Sequence, residues 1–187
     1  MLKLPRTIRL DPSDTFVFER AAAPGEWAVS GTFVFWSYGD PATFDQKRRT
    51  ALRAGLLGIE SLGWSTLAIV TEATEVERSG AVKRLAEQLL NRFGAPDFAT
   101  ARRSAEEEVA FAASLCDHPP QTLLAVQRSV EGGEIRERFR TLTPRLPATG
   151  ADRLHAQARA FTFLETEGEP ETAEQIDLMN LIKTDHR

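Results

Sequence analysis

The side chains best placed to do chemistry at close spacing are Cys116, Asp117 and His118, which are consecutive. An imidazole can lower the pKa of a neighbouring thiol, and a carboxylate can orient the imidazole, so this trio is the raw material of a nucleophilic site. The spacing works against it. Adjacent residues at a helix end project in different directions. Cys116 also continues an apolar helical stripe, where a free cysteine behaves as a small hydrophobe. His118 suits a helix C-terminus, whose dipole favours a cation. The trio is expected to be structural. Glu106, Glu107 and Glu108 form the next cluster. Paired carboxylates bind hard metals or share a proton. Three successive helical residues, however, fan across roughly 200° and do not converge. Arg102 and Arg103 lie four residues earlier and give i, i+4 contacts, so a solvated face is expected. Glu108 alone borders the apolar stripe, which makes it the carboxylate of interest.

Arg136, Arg138 and Arg140 alternate along one predicted strand. With lysine and arginine from the first predicted helix they would form an anion site, since guanidinium matches carboxylate and phosphate geometry. The competing reading is a solvated strand face that discourages edge pairing. Acidic residues outnumber basic ones 27 to 23, for a net charge of −4. That leaves no long-range basic field, so the solvated face is favoured and nucleic-acid binding is disfavoured. The histidines, His118, His155 and His186, are far apart. No zinc-binding spacing, phosphate loop, dinucleotide fingerprint or nucleophile elbow occurs. No metal site and no cofactor are expected.

The elements that position these groups are legible from periodicity. Residues 15–37 read as a strand hairpin, because Trp27 to Tyr38 alternates with aromatic and β-branched residues. On that reading Val34 and Trp36, with Tyr38, share the face away from the core and form a candidate contact surface. A first helix is predicted from Asp40-Pro41 or Thr43, with a Thr43/Gln46 capping box, and is expected to exit at Gly63. Leu67 to Val70 is continuously apolar and reads as a central strand. A second helix opens on the Thr74/Glu77 capping box and closes at Gly94 and Pro96. Asp97 caps a third helix over roughly 98–115. Gly132-Gly133 then turns a hairpin whose register pairs Glu131 with Glu134, Ser129 with Arg136, Arg128 with Glu137 and Val126 with Phe139.

The whole predicts a single α+β domain over 1–187: a mainly antiparallel or mixed sheet of about five to six strands with three main helices packed on it. The core spans 15–142, a last strand 156–165, and an acidic link with a short C-terminal helix 166–187. Residues 25–36 (GEWAVSGTFVFW), 61–70 (SLGWSTLAIV) and 132–140 (GGEIRERFR) resemble a small bacterial family known as a domain of unknown function. The likeness covers most of the chain. It implies one bacterial domain and assigns no catalytic residue.

One cysteine allows no internal disulfide, and the longest apolar run is far below a membrane span, so a cytoplasmic location is expected. The leading expectation for function is a non-catalytic binding or assembly protein that associates with itself or with a protein partner. The alternative is a small enzyme or metabolite binder. Its site would lie between sheet and helices, lined by Arg136 or Arg138 and a carboxylate such as Glu108 or Asp117.

Overall fold

The computed structural model describes residues 1–142. The expected strand at 156–165 and the link and helix at 166–187 lie outside the described residues, as do His155 and His186.

The described chain is α+β, with two antiparallel sheets and three helices longer than a single turn. The larger sheet has four strands: β1 (Lys3–Ile8), β5 (Leu67–Glu72), β6 (Leu123–Glu131) and β7 (Glu134–Leu142), in the order β1-β5-β6-β7. The apolar run 67–70 is therefore an interior strand, as its composition predicts. Ala68 and Val70 are fully buried, while Leu67 and Ile69 are half-buried. The smaller sheet joins β2 (Ala28–Val29), β3 (Leu56–Gly58) and β4 (Trp64–Ser65).

The helices follow their caps. Helix α4 (Glu75–Arg92) begins with the reciprocal Thr74/Glu77 box, and Gly94 beyond its end takes a left-handed φ of 73°. Helix α5 (Phe98–Ser114) is capped by Asp97, which accepts from the Thr100 amide at 2.7 Å. Its buried stripe of Ala101, Ala105, Val109 and Ala112 is mostly methyl groups, and small side chains let it lie close to its neighbours. Helix α3 (Gln46–Ala54) starts later than predicted. Asp45 is its N-cap, and Asp40 instead caps a separate 3-10 turn at Pro41–Thr43. It also ends earlier, at Gly55 rather than Gly63. The Trp64 ring fills the space where a Gly55 Cβ would stand, 2.8 Å away.

The predicted hairpin over 15–37 does not form. Asp14–Val17 winds one helical turn, α1, which leaves Phe16 exposed and Phe18 buried. Alternation after Trp27 lasts only through β2. Gly31 then takes a φ of 76°, and a Cβ there would stand 2.4 Å from Leu57 Cβ, so only glycine fits. The chain turns into α2 (Phe33–Trp36), one turn in which the consecutive residues Val34 and Phe35 are both buried. Phe35 stacks on Trp64 with ring centroids 4.8 Å apart. Val34 therefore belongs to the core and not to an outward strand face. Period-two spacing and a single helical turn both place apolar residues close together, and only the Gly31 break distinguishes them.

Candidate functional site

A polar cluster lies on the inward face of the β6–β7 hairpin. The turn at Gly132-Gly133 has left-handed φ at both glycines, 60° and 84°, and sets the predicted register. Arg128 thus faces Glu137. Side chains alternate along a strand, so Arg128 points the same way as buried Val126 and Leu124. Its side chain has no exposed area.

Every N–H of the Arg128 guanidinium finds an acceptor. Nε donates to Glu137 Oε1 at 2.7 Å and to Thr32 Oγ1 at 2.9 Å. Nη1 donates to the carbonyls of Gly55 at 2.7 Å and Leu52 at 3.2 Å. Nη2 donates to the Ser30 carbonyl at 2.6 Å and to Ser30 Oγ at 3.2 Å. Leu52 and Gly55 close α3, so the cation also serves carbonyls that a helix end leaves open. The hydroxyls of Ser30 and Thr32 both donate to Glu137 Oε1. Ser30 and Thr32 are presented by the turn that Gly31 makes possible. One arginine therefore ties together the hairpin, the β2–α2 junction and the end of α3.

A second carboxylate meets this cluster from α5. Glu108 is partly buried, and its Oε2 is shielded from solvent without a hydrogen-bond partner. Burial, reinforced by the negative charge of Glu137, pushes its carboxyl up to about 7, while Arg128 and the Gly31 amide pull the other way. Glu137 moves in the opposite direction. Burial acts to raise it, but the Ser30 and Thr32 hydroxyls and the Arg128 guanidinium outweigh burial and hold it below the usual glutamate range. Burial also pulls the guanidinium of Arg128 down, against the two carboxylates, though arginine stays protonated in proteins. Two acids thus share one cation, and their environments drive their affinities for protons apart.

Other predicted residues are placed elsewhere. Cys116 is buried, and burial pushes its thiol up to about 12, which removes thiolate character near neutrality. Asp117 is exposed to water while Cys116 is not, and the His118 carbonyl accepts from Lys3 Nζ at 2.6 Å. Glu108 lies two helical turns from Cys116 and joins a different cluster. Arg136 pairs with Glu131 at 3.0 Å near the hairpin tip, and Arg138 and Arg140 share its exposed outer face. Helix α3 packs on the inner face, where Arg128 reaches the carbonyls of Leu52 and Gly55. Trp36 is 64% exposed and Tyr38 is 38% exposed. Among the described residues no three His, Cys, Asp or Glu side chains gather as a metal-holding group, and no helix is long and apolar enough to cross a membrane.

Sequence reasoning pairs Arg128 with Glu137 but misses that the pair faces inward. Parity carries that signal: Arg128 falls between Val126 and Val130, and Glu137 between Ile135 and Phe139, all on the apolar face. Ser30, Thr32 and the α3 carbonyls carry no comparable signal.

The architecture defines an α+β domain with two antiparallel sheets and a fully bonded buried arginine at their junction with the helices. The chain belongs to the family of unknown function DUF6505, whose model matches residues 1–159. No curated protein and no solved structure gives a significant match.

Proposed function

We propose that the chain is a non-catalytic binding or assembly protein whose contact surface centres on Trp36, with a second copy of itself as partner. The observation that carries this reading is the mounting of Trp36. It stands 64% exposed on a helical turn whose neighbours Val34 and Phe35 are 3% and 1% exposed. A large aromatic held outward by anchored neighbours loses little freedom on contact, and tryptophan, tyrosine and arginine dominate the energetics of interfaces. Tyr38 is close by in the chain, and the Arg48 guanidinium stacks over its ring at 4.9 Å. The buried cluster supports the same reading, because the Arg128 donors are already taken by the protein's own acceptors. The single cysteine, itself buried, supports a reducing compartment, and the reading places the protein in the bacterial cytoplasm.

Light scattering on a size-exclusion column at micromolar concentrations tests this. The native chain is expected to elute with the mass of an assembly, and Trp36→Ala with the mass of a monomer at unchanged thermal stability. A native chain of monomer mass throughout that range overturns self-association.

A second reading rests on a groove of about 530 Å3 between α4 and α5, rimmed by Arg78, Lys83 and Arg102 around Phe98. Its volume lies within the range of small-molecule sites, and its cations suit an anionic metabolite. Arg78 and Arg102 also pair with Glu75 and Glu106, which weakens that field. A thermal-shift panel of phosphorylated and carboxylated metabolites tests it: stabilisation of the native chain that Lys83→Ala abolishes supports the groove, and no stabilisation counts against it.

A further inference from the structure

The Glu108 carboxyl meets the Arg128–Glu137 pair at the point where the chain leaves β2 for α2. We propose that Glu108 is a proton-operated latch on the Ser30–Thr32 segment. Neutral, it stays packed beside the pair; ionised, having given its proton to water, it is driven toward solvent and the segment loosens.

The geometry carries the argument. Arg128 is the cation at the cluster, and its N–H groups are directed at Glu137, Ser30, Thr32 and two α3 carbonyls, with none given to Glu108. An ionised Glu108 would therefore add a second negative charge beside Glu137 without a donor for Oε2. A buried charge in that position costs far more than a neutral acid. The charged groups acting on Glu108 are Glu137 on β7, Arg128 on β6 and Glu107 on its own helix, and the Gly31 amide acts from the β2–α2 turn. Lys3 on β1 acts on Cys116 and is tied to the His118 carbonyl, both beyond the end of α5. An escape route exists, since Glu108 is only partly buried while Arg128 is fully so. The segment it would release contains Gly31 and Thr32, whose hydroxyl is held by Arg128 and Glu137 and which immediately precedes α2. The latch acts whether or not Trp36 meets a partner.

The sign follows from linkage. The folded chain binds the Glu108 proton more tightly than the unfolded chain, whose value is near 4.5. Its stabilising contribution is complete below 4.5, declines as pH rises, and is gone above about 7. Glu137 is shifted the other way and acts below its ordinary value, so within this cluster the interval above pH 5 belongs to Glu108.

The test uses the full chain between pH 5.5 and 8.5. Urea denaturation is expected to show the folding equilibrium constant of the native chain falling by about thirtyfold across that interval. Glu108→Gln is expected to flatten the change. Hydrogen exchange, corrected for intrinsic rates, is expected to show the Gly31 to Phe35 amides losing about tenfold more protection than the α4 amides over the same interval. A slope retained in Glu108→Gln overturns the proposal, as does equal loss of protection in the two segments. If Glu108→Gln fails to fold, carboxyl titration by nuclear magnetic resonance on the native chain decides: a Glu108 midpoint above 6 supports the latch, and one at or below 6 overturns it.

Discussion

Arg128 and Arg136 belong to the same hairpin, and each binds a glutamate with its Nε. Their surroundings differ completely. The Arg128 side chain has no exposed area and its glutamate is 20% exposed, whereas Arg136 and Glu131 are 63% and 57% exposed. The difference comes from register alone: Arg136 lies opposite Ser129, the residue after Arg128, and successive positions on a strand face opposite sides. On the outer face water solvates both charges and screens them, so the pair adds little. On the inner face the guanidinium is cut off from solvent, and each of its donors must be matched by a protein oxygen. The paired strand and two distant segments supply those oxygens. An identical pair of residue types is thus decoration on one side and a fastening on the other.

This contrast can be broken by substitution. Arg128→Ala has the largest expected effect. It leaves Glu137 buried without its cation and strips donors from the carbonyls of Ser30, Leu52 and Gly55. Loss of about 3–5 kcal/mol is expected at neutral pH, read from urea denaturation; a loss under about 1 kcal/mol would make the two arginines equivalent and dissolve the distinction. Gly31→Ala comes next. The left-handed φ and the 2.4 Å approach to Leu57 Cβ both penalise a side chain, and a lowered midpoint worth about 2–4 kcal/mol is expected. An unchanged midpoint would show that Ser30 and Thr32 do not depend on that turn. Arg136→Ala is the smallest, within about 0.5 kcal/mol of the native chain in the same assay. A larger loss would show that the outer face also fastens something.

The same contrast explains what the amino-acid order reveals. Local features are legible because neighbours encode them: Thr74 with Glu77 opens α4, Gly94 closes it, Asp97 opens α5, and Gly132-Gly133 sets the whole β6–β7 register. The β2–α2 junction is misread, because the residues from Trp27 to Trp36 alternate well enough to imitate a strand and only the left-handed Gly31 interrupts them. Strand β1 is missed for a similar reason, since six residues containing a proline and two basic side chains give little apolar signal. Glu108 stands out because it borders its helix's apolar stripe. What makes it unusual is not local. Arg128 is 98 residues from Ser30 and 73 from Gly55, and no periodicity links positions so far apart.

Those separations also fix an order of completion. A ribosome makes Ser30, Leu52 and Gly55 long before it makes Arg128, so three inward carbonyls must wait for a donor that has not been translated. An N-terminal fragment ending before β6 would leave them to water or to improvised partners. The last strands to emerge among the described residues are therefore the ones that close the oldest part of the chain.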